Sequence, residues 1–304
     1  MNHKPEKTQP LVYAVVTNWN GLEDTTECLA STLASDYPNL KIILVDNGST
    51  DDSASTLAQN FPEVDQVQTG KNGAITAAYN MGMQYGLDRK ADYILMLNND
   101  TVLAPDMISK MVQVAEADET IGQVTPKIYY YDQPQTIWFA GGKRSWFDFG
   151  AYDTHEGLLD SPQNNVAKEV DFAWACGMLM RRSLLEKMGL FDTQFYLYYD
   201  DVDTSIRTQQ AGYRIWYEPG AKMWHKVSHS TGSAKFAYIW ARSKMRLYLK
   251  HAHGIHKAIL IFYAFIHGIF RILVARQDNL RPRVHTRSYF TGLLDGLIGR
   301  ERLI

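Results

Sequence analysis

Leu40–Ser53 reads LKIILVDNGSTDDS, an apolar, β-branched run that stops at once on a turn of Asp46, Asn47 and Gly48. A short continuous apolar run bounded by turn formers is the pattern of a strand buried on both faces, as parallel strands are. The same pattern precedes and follows it. Leu11–Thr17 (LVYAVVT) leads into the polar turn NWNG and a helical stretch ending near Leu33, and Tyr93–Leu97 (YILML) runs straight into NNDT. Between them, Gln66–Thr69 reads as a shorter third strand, and KNG opens a helix rich in small residues, AITAAYNMGMQYG. Ser49 and Thr50 are expected to cap the helix that follows LKIILV. Strand alternating with helix at this spacing predicts an α/β fold with a mostly parallel central sheet and helices on both faces.

Outward from that frame the pattern changes. From Gly122 to about Phe172 the chain is rich in Tyr, Trp, Phe, Gly and turn residues, which predicts hairpins and loops laid over the sheet. Helical signal returns near Arg182–Met188 and Asp201–Gln210, and Lys235–His251 has the pattern of a basic amphipathic helix. Ala258–Phe270 is an uncharged run of 13 residues, shorter than the about twenty needed to span a bilayer. The opening decapeptide, MNHKPEKTQP, carries no apolar run and predicts a disordered N-terminus over residues 1–10 without a signal peptide.

At 304 residues, 45% hydrophobic and 21% charged, the chain has an ordinary globular composition, which excludes wholesale disorder and collagen-like or coiled-coil architecture. Cys28 and Cys176 are far apart in sequence and form no CxxC, so no thiolate zinc site is expected and a reducing compartment fits. The net charge of −2 hides an asymmetry: residues 235–304 hold 13 Lys and Arg against three acids, leaving 18 basic and 30 acidic residues in the first 234. A basic end on an acidic body points to a polyanionic surface, either membrane phosphate or nucleic acid. It could also be a solvated face. The apolar residues Phe262, Tyr263, Phe265 and Phe270 within it favour an interfacial helix, and no nucleic-acid motif accompanies the charge, so no nucleic acid is expected.

Three polar clusters follow apolar runs: Asp46-Asn47-Gly48, Asn98-Asn99-Asp100 and Asp200-Asp201-Val202-Asp203. Ligands of open α/β sheets bind at the carboxyl ends of strands, so the first two should face one crevice. There is no GxGxxG after the first strand and no GxxxxGK[ST], which excludes the dinucleotide fingerprint and the P-loop. A phosphate here would be held through a hard divalent cation, for which Asp100 offers an oxygen ligand.

In order, VVTNWNG, VDNGSTDDS, GKNG, LNNDT, WACGMLMRRSLLEKMGLFDTQFYLYYDDVDTSIRTQQAGY and MWHKVSHSTG resemble the motifs of the family 2 inverting glycosyltransferases, nearest the rhamnosyltransferase-like group of bacterial polysaccharide assembly. The resemblance spans about residues 11–233. It implies a GT-A catalytic domain there, with a nucleotide-sugar-binding half at 11–121 and an acceptor-binding half at 122–233, followed by a basic C-terminal helical region at 234–304. It also implies a UDP- or dTDP-sugar donor and a divalent cation, Mg or Mn. Carried over by position, it assigns Thr17 and Trp19 to the nucleotide pocket, Trp19 standing where the family usually has Tyr. Asp46 is similar to the aspartate that accepts from the pyrimidine N3–H, and Asn72 and Gly73 to the turn closing over base and ribose. Asp100 matches the metal-binding last acid of the family's DxD, while Asn98 replaces the first acid and retains a ribose hydrogen bond. His225 resembles the later histidine of the metal and diphosphate site, with His229 as a rival. Asp201 resembles the catalytic base, Asp200 an acceptor-binding residue, and Trp174 a sugar-stacking face.

Each residue also has a plainer reading. Asp46 and Asp100 are natural turn formers, Asp201 a natural occupant of a helix start, and Trp19 and Trp174 ordinary core aromatics. Cys176 reads as a small buried hydrophobe. The whole predicts a cytoplasmic enzyme, peripheral on the inner face of the cell membrane, that moves one hexosyl or deoxyhexosyl unit to a glycan or lipid-linked glycan. A catalytically silent sugar-nucleotide or glycan-binding module is the alternative. A processive synthase should add spanning helices and a QxxRW motif, and a nucleotidyltransferase a Gly-rich basic loop after the first strand. Neither pattern is present.

Overall fold

The computed structural model describes residues 9–227, 234–275 and 282–302. Its first half is β1 (Val12–Asn18), α1 (Leu22–Leu33), β2 (Leu40–Asp46), α2 (Ser53–Asn60), β3 (Asp65–Gln68), α3 (Ile75–Asp88), β4 (Tyr93–Asn98), β5 (Thr101–Leu103) and α4 (Met107–Ala117). The alternation predicted from LKIILV and its neighbours is what forms. The middle runs through β6 (Ile121–Tyr130), β7 (Ile137–Phe139), β8 (Lys143–Arg144), β9 (Ala151–Tyr152), a 3-10 turn at Pro162–Asn165, β10 (Lys168–Val170), β11 (Gly177–Arg181), α5 (Arg182–Met188), α6 (Asp200–Gln210) and β12 (Arg214–His225). Three helices close the chain: α7 (Ala234–His251), α8 (Gly254–Ala275) and α9 (Pro282–Ile298).

The main sheet has the order β10-β12-β6-β11-β4-β1-β2-β3, with β5 on β12 and β7 on β6. It is parallel from β3 through β2 and β1 to β4, and again between β6 and β12. β11 runs antiparallel between β4 and β6. Every residue of β1 is buried. Val12, Ala14 and Val16 join one core with α1 and α4 residues such as Leu29 and Met111, and Tyr13 and Val15 join the opposite core with Met83 of α3. This is the period of two expressed as two apolar layers. Gly82 and Gly86 let α3 approach β1 closely, because a Cβ at Gly82 would fall 2.4 Å from Val15 Cγ1.

Two expectations are corrected. Residues 121–130 are not a loop over the sheet but a central strand of it, β6, buried at nine of ten positions. Aromatic and turn-rich composition obscured it because β6 is buried between β11 and β12. Hairpins do follow, in β7 and in the separate β8–β9 pair. Ser49 and Thr50 do not cap α2, which starts at Ser53 behind Asp52. Ser49 Oγ instead donates to Asp46 Oδ1, and the Thr50 N–H to Asn20 Oδ1, so both hold the loop together.

The basic helix at 234–251 forms, but Arg242 and Lys244 on it are buried. Arg242 donates to the Arg300 carbonyl and pairs with Glu301. Among the described residues no helix is long and apolar enough to cross a membrane. Residues 1–8, His229 and part of the basic end lie outside the described residues.

Candidate active site

β4 is buried from Tyr93 to Leu97, and Asn98 is its first residue to emerge. The chain turns through Asn99 and Asp100 into β5, whose antiparallel register sets Thr101 opposite His225, the last residue of β12. The Lys226 N–H donates to the Asp100 carbonyl at 2.9 Å. This pairing brings together two residues 125 apart in sequence: His225 Nε2 lies 3.2 Å from Asp100 Oδ1. Trp138 meets the His225 ring edge-on with centroids 4.6 Å apart, and Trp174 lies 5.6 Å from Trp138.

The opposite wall comes from the start of α6. Tyr198 and Tyr199 are both left-handed, with φ of 66° and 63°, a conformation that costs non-glycine residues energy and is held only where surroundings impose it. These two residues turn the chain so that Asp200 and Asp201 open the helix, both buried. Asp201 Oδ1 accepts the Val202 N–H at 2.8 Å. Burial pushes the Asp200 and Asp201 carboxyls up from the usual range, and the neighbouring Asp200 charge raises Asp201 further.

Asp203, the third acid of the cluster, points away from the other two. It is fully buried and accepts from Arg207 Nε at 2.8 Å, with Lys250 Nζ and His251 Nε2 each at 2.7 Å. Burial works against its ionisation, yet the His251 hydrogen bond and the Arg207 and Lys250 cations hold its carboxyl below the usual value. Arg207 of α6 with Lys250 and His251 of α7 thus offset the charge of the third aspartate, which nonetheless adds to the raising of Asp200.

A cavity of about 600 Å³ lies between the walls. It is lined by Asn98, Trp174, Asp200, Asp201 and His225, so YYDDVD and LNND open onto the same space. Asn98 Oδ1 accepts from the Tyr79 hydroxyl at 2.8 Å, which fixes its amide at the cavity wall. Contributors missed in the sequence include Tyr79 on α3, and Trp240 and Lys244 on α7. The α7 pair carries no local motif, and only the i, i+4 spacing of Asp203 and Arg207 hinted that α6 is internally tied.

Thr17, Trp19, Asp46, Asn72 and Gly73 do not line this cavity. They form an adjoining set at and beyond the carboxyl ends of β1, β2 and β3. Thr17 sits in register with Asn98 of β4 and Val45 of β2, and Trp19 is 54% exposed at the rim. Asp46 is buried and accepts from Asn18 Nδ2 at 2.9 Å and from the Ser49 N–H at 3.0 Å, so its turn-forming role is realised. Asn47 links that turn to the next, taking the Gly73 N–H at 3.4 Å and donating to Asn72 Oδ1 at 3.5 Å. Gly48 is required where the turns meet: its φ is +72°, and a Cβ would stand 2.2 Å from the Lys71 carbonyl carbon. Cys28 and Cys176 are buried, with burial pushing both thiols up, so neither is a nucleophile candidate.

The donor set fits a divalent cation bound partly by substrate. Asp100 and His225 converge an oxygen and an imidazole nitrogen, and His225 Nδ1 is buried without a hydrogen-bond partner among the described residues. Among the described residues no group of three or more His, Cys, Asp or Glu is poised for a metal; diphosphate oxygens and water are the hard oxygen donors that would suit such a cation beside Asp100.

Residues 9–246 match the family model described as Glycosyltransferase like family 2. The chain is 25% identical over 236 residues to N-acetylglucosaminyl-diphospho-decaprenol L-rhamnosyltransferase of Mycobacterium tuberculosis (strain CDC 1551 / Oshkosh), covering 70% of this chain and 75% of that one. It is 27% identical over 258 residues to poly-beta-1,6-N-acetyl-D-glucosamine synthase of Staphylococcus epidermidis, covering 80% of this chain but only 54% of the synthase. Among solved structures it resembles the mannosyltransferase PcManGT from Pyrobaculum calidifontis in complex with GDP-Man and Mn2+, with TM-score 0.60, 16% identity and coverage of 97% and 89%. It also resembles GalNAc-T7 with UDP, GalNAc and Mn2+, with TM-score 0.64 and 15% identity over 80% of this chain and 48% of that one. At these identities the two structures speak for the GT-A fold alone. The family match spans both walls of the cavity and runs into α7, and on it the chain belongs to glycosyltransferase family 2.

Proposed function

We propose that the protein is a metal-dependent, inverting glycosyltransferase that moves a single hexosyl or deoxyhexosyl unit, rhamnosyl included, from a UDP- or dTDP-sugar to a hydroxyl of a cell-surface or lipid-linked glycan. The observation that carries this reading is the shared cavity: Asp200 and Asp201 face the same space as Asn98 and His225.

In this reading the nucleotide occupies the edge marked by Thr17, Trp19, Asp46, Asn72 and Gly73, and its diphosphate extends past Asn98 toward Asp100 and His225. Trp19 covers the base, and the Asn98 amide, oriented by Tyr79, reaches the ribose. Asp100 and His225 would hold the cation, which when bound offsets negative charge on the diphosphate. The acceptor lies between Trp174 and Asp200. Asp201 takes the proton of the attacking hydroxyl as the new bond forms to the anomeric carbon, on the face opposite the departing diphosphate. Burial raises the proton affinity of Asp201, which suits a group that must accept a proton from an alcohol. The enzyme works at the inner face of the cell membrane as a peripheral protein.

The test is a donor screen. Nucleotide diphosphate release is measured from UDP-, dTDP- and GDP-sugars with Mg or Mn, using the wild-type protein and Asp201→Asn. Metal-dependent release from a UDP- or dTDP-sugar that the substitution abolishes supports the reading. Full turnover by Asp201→Asn overturns the assigned base, and no release from any donor by the wild-type protein favours the silent-module alternative.

A further inference from the structure

The helix α8 has faces of opposite character. Leu260 and Ala264 are buried in the C-terminal core, and Gly268 admits α9 so closely that a Cβ would fall 2.7 Å from the Tyr289 ring. Tyr263 and His267, one turn apart, line the cavity that holds Asp200 and Asp201. The outward face carries Ile255, Ile259, Phe262, Ile266, Ile269 and Phe270. From Ile255 to Ile269 the steps are four, three, four and three residues, which makes one stripe along the helix, with Phe270 beside its end. Ile255 is 78%, Phe262 68% and Phe270 61% exposed. The neighbouring α9 also exposes Leu294, Leu297 and Ile298. Scattered surface hydrophobes need no explanation, but a continuous stripe does.

The net charge of the chain segment that carries the stripe selects its occupant. Residues 254–304 hold eight Lys and Arg against three acids, whereas residues 1–234 hold 30 acids and 18 bases. One of those three acids, Asp295, is buried against Tyr238 and Arg302. A second copy docked stripe to stripe would bring two positive surpluses together, while an anionic lipid surface complements the basic end and repels the acidic body. No helix among the described residues is long and apolar enough to cross a membrane, so the helix would lie in the interface rather than through it.

We infer that the Ile255–Phe270 stripe of α8 seats the protein in the headgroup–acyl boundary of an anionic bilayer, with the cavity wall formed by Tyr263 and His267 held at headgroup level. The partner is a lipid surface, and the acceptor is one whose sugar sits at that depth. The statement about the acceptor rests on the glycosyltransferase mechanism proposed above; the lipid contact does not.

The test uses the full chain and vesicles of mixed phosphatidylglycerol and phosphatidylcholine. Co-sedimentation is compared for wild type, Phe262→Glu/Ile266→Glu and Asp201→Asn, with light scattering to read the oligomeric state and a thermal melt to verify folding. Removing two inserted apolar side chains should weaken vesicle partitioning about tenfold or more. Asp201→Asn should bind vesicles as wild type does, so a failure of the proposed mechanism leaves this readout intact. Because both replaced side chains are exposed, the melt should not move. Unchanged co-sedimentation of the double variant overturns the inference. So does a wild-type dimer that the double substitution splits into monomers, since the stripe would then be a contact between copies. Wild-type binding indifferent to phosphatidylglycerol content overturns it as well, because the basic surplus would have no role.

Discussion

The two walls of the cavity are built by different means. Asn98, Asp100 and His225 stand where strands end, and their spacing follows from ladder register: β1 on β4, β5 on β12. Asp200 and Asp201 stand where a helix begins, after two left-handed tyrosines, and their helix is tied through Asp203 to Lys250 and His251 of α7. The strand wall is set by repetitive backbone hydrogen bonds. The helix wall is strained and depends on a buried charge cluster completed some fifty residues later. On the proposed reading, such a protein can keep its nucleotide edge while its acceptor edge is adjusted by the C-terminal helices.

The sharpest way to test that difference is chemical. Asp201→Asn should lower kcat by about 10²- to 10⁴-fold, the usual contribution of a positioned base. Its melting temperature should hold or rise, because the folded state no longer carries a buried carboxylate beside Asp200. A parallel fall in melting temperature would mean that Asp201 supports the fold.

The clamp comes next. Asp203→Ala leaves Arg207, Lys250 and His251 facing one another in a buried site, and breaking such a cluster costs about 3–5 kcal/mol. Denaturant unfolding should show that loss. Calorimetric binding of the free nucleoside diphosphate should persist while turnover falls. If nucleotide binding disappears with turnover, the two walls are not separable.

On the strand wall, His225→Ala should raise the Mn concentration for half-maximal nucleotide diphosphate release by about 10- to 100-fold, the scale for losing a metal-site interaction. The Asp203 variant should leave that concentration unchanged.

The pH dependence follows from the raised carboxyls. The proposed base must be ionised to act, so kcat/KM should rise with pH through a value above the ordinary carboxylate range of about 4. Asp200→Asn removes the neighbouring charge and should move that limb to lower pH. Stability takes the opposite sign. Between the unfolded value near about 4 and the raised folded value, the folded state binds more protons, so the contribution of this pair to stability falls as pH rises. The smallest effect is expected at the rim: Trp19→Ala should weaken donor affinity by about 0.5–1.5 kcal/mol, the scale of an aromatic contact, with kcat held.

Much of this was legible in the residues. LVYAVVT, LKIILV and YILML are apolar because both faces of a parallel sheet are covered, and each becomes a strand within a residue of its predicted end. Asn98 and Asp100 follow such a run directly, so their place at a strand end was readable too. The sequence was misleading at β6, where aromatic and turn residues hide a strand that neighbours from 50 and 90 residues away bury, and at Ser49 and Thr50, whose hydrogen bonds go to Asp46 and Asn20 rather than to a helix start.

Local pattern by itself therefore determined the alternating layers, the strand-end polar clusters and the uneven charge, because burial period and turn chemistry act over a few neighbouring residues. Only the tertiary structure decided that Asp203 turns away from Asp200 and Asp201, that Asp100 meets His225, and that α7 and α8 wall the same cavity. Those contacts join residues about 50 to 125 positions apart, and pairing at such range depends on which elements pack together, which no local pattern records.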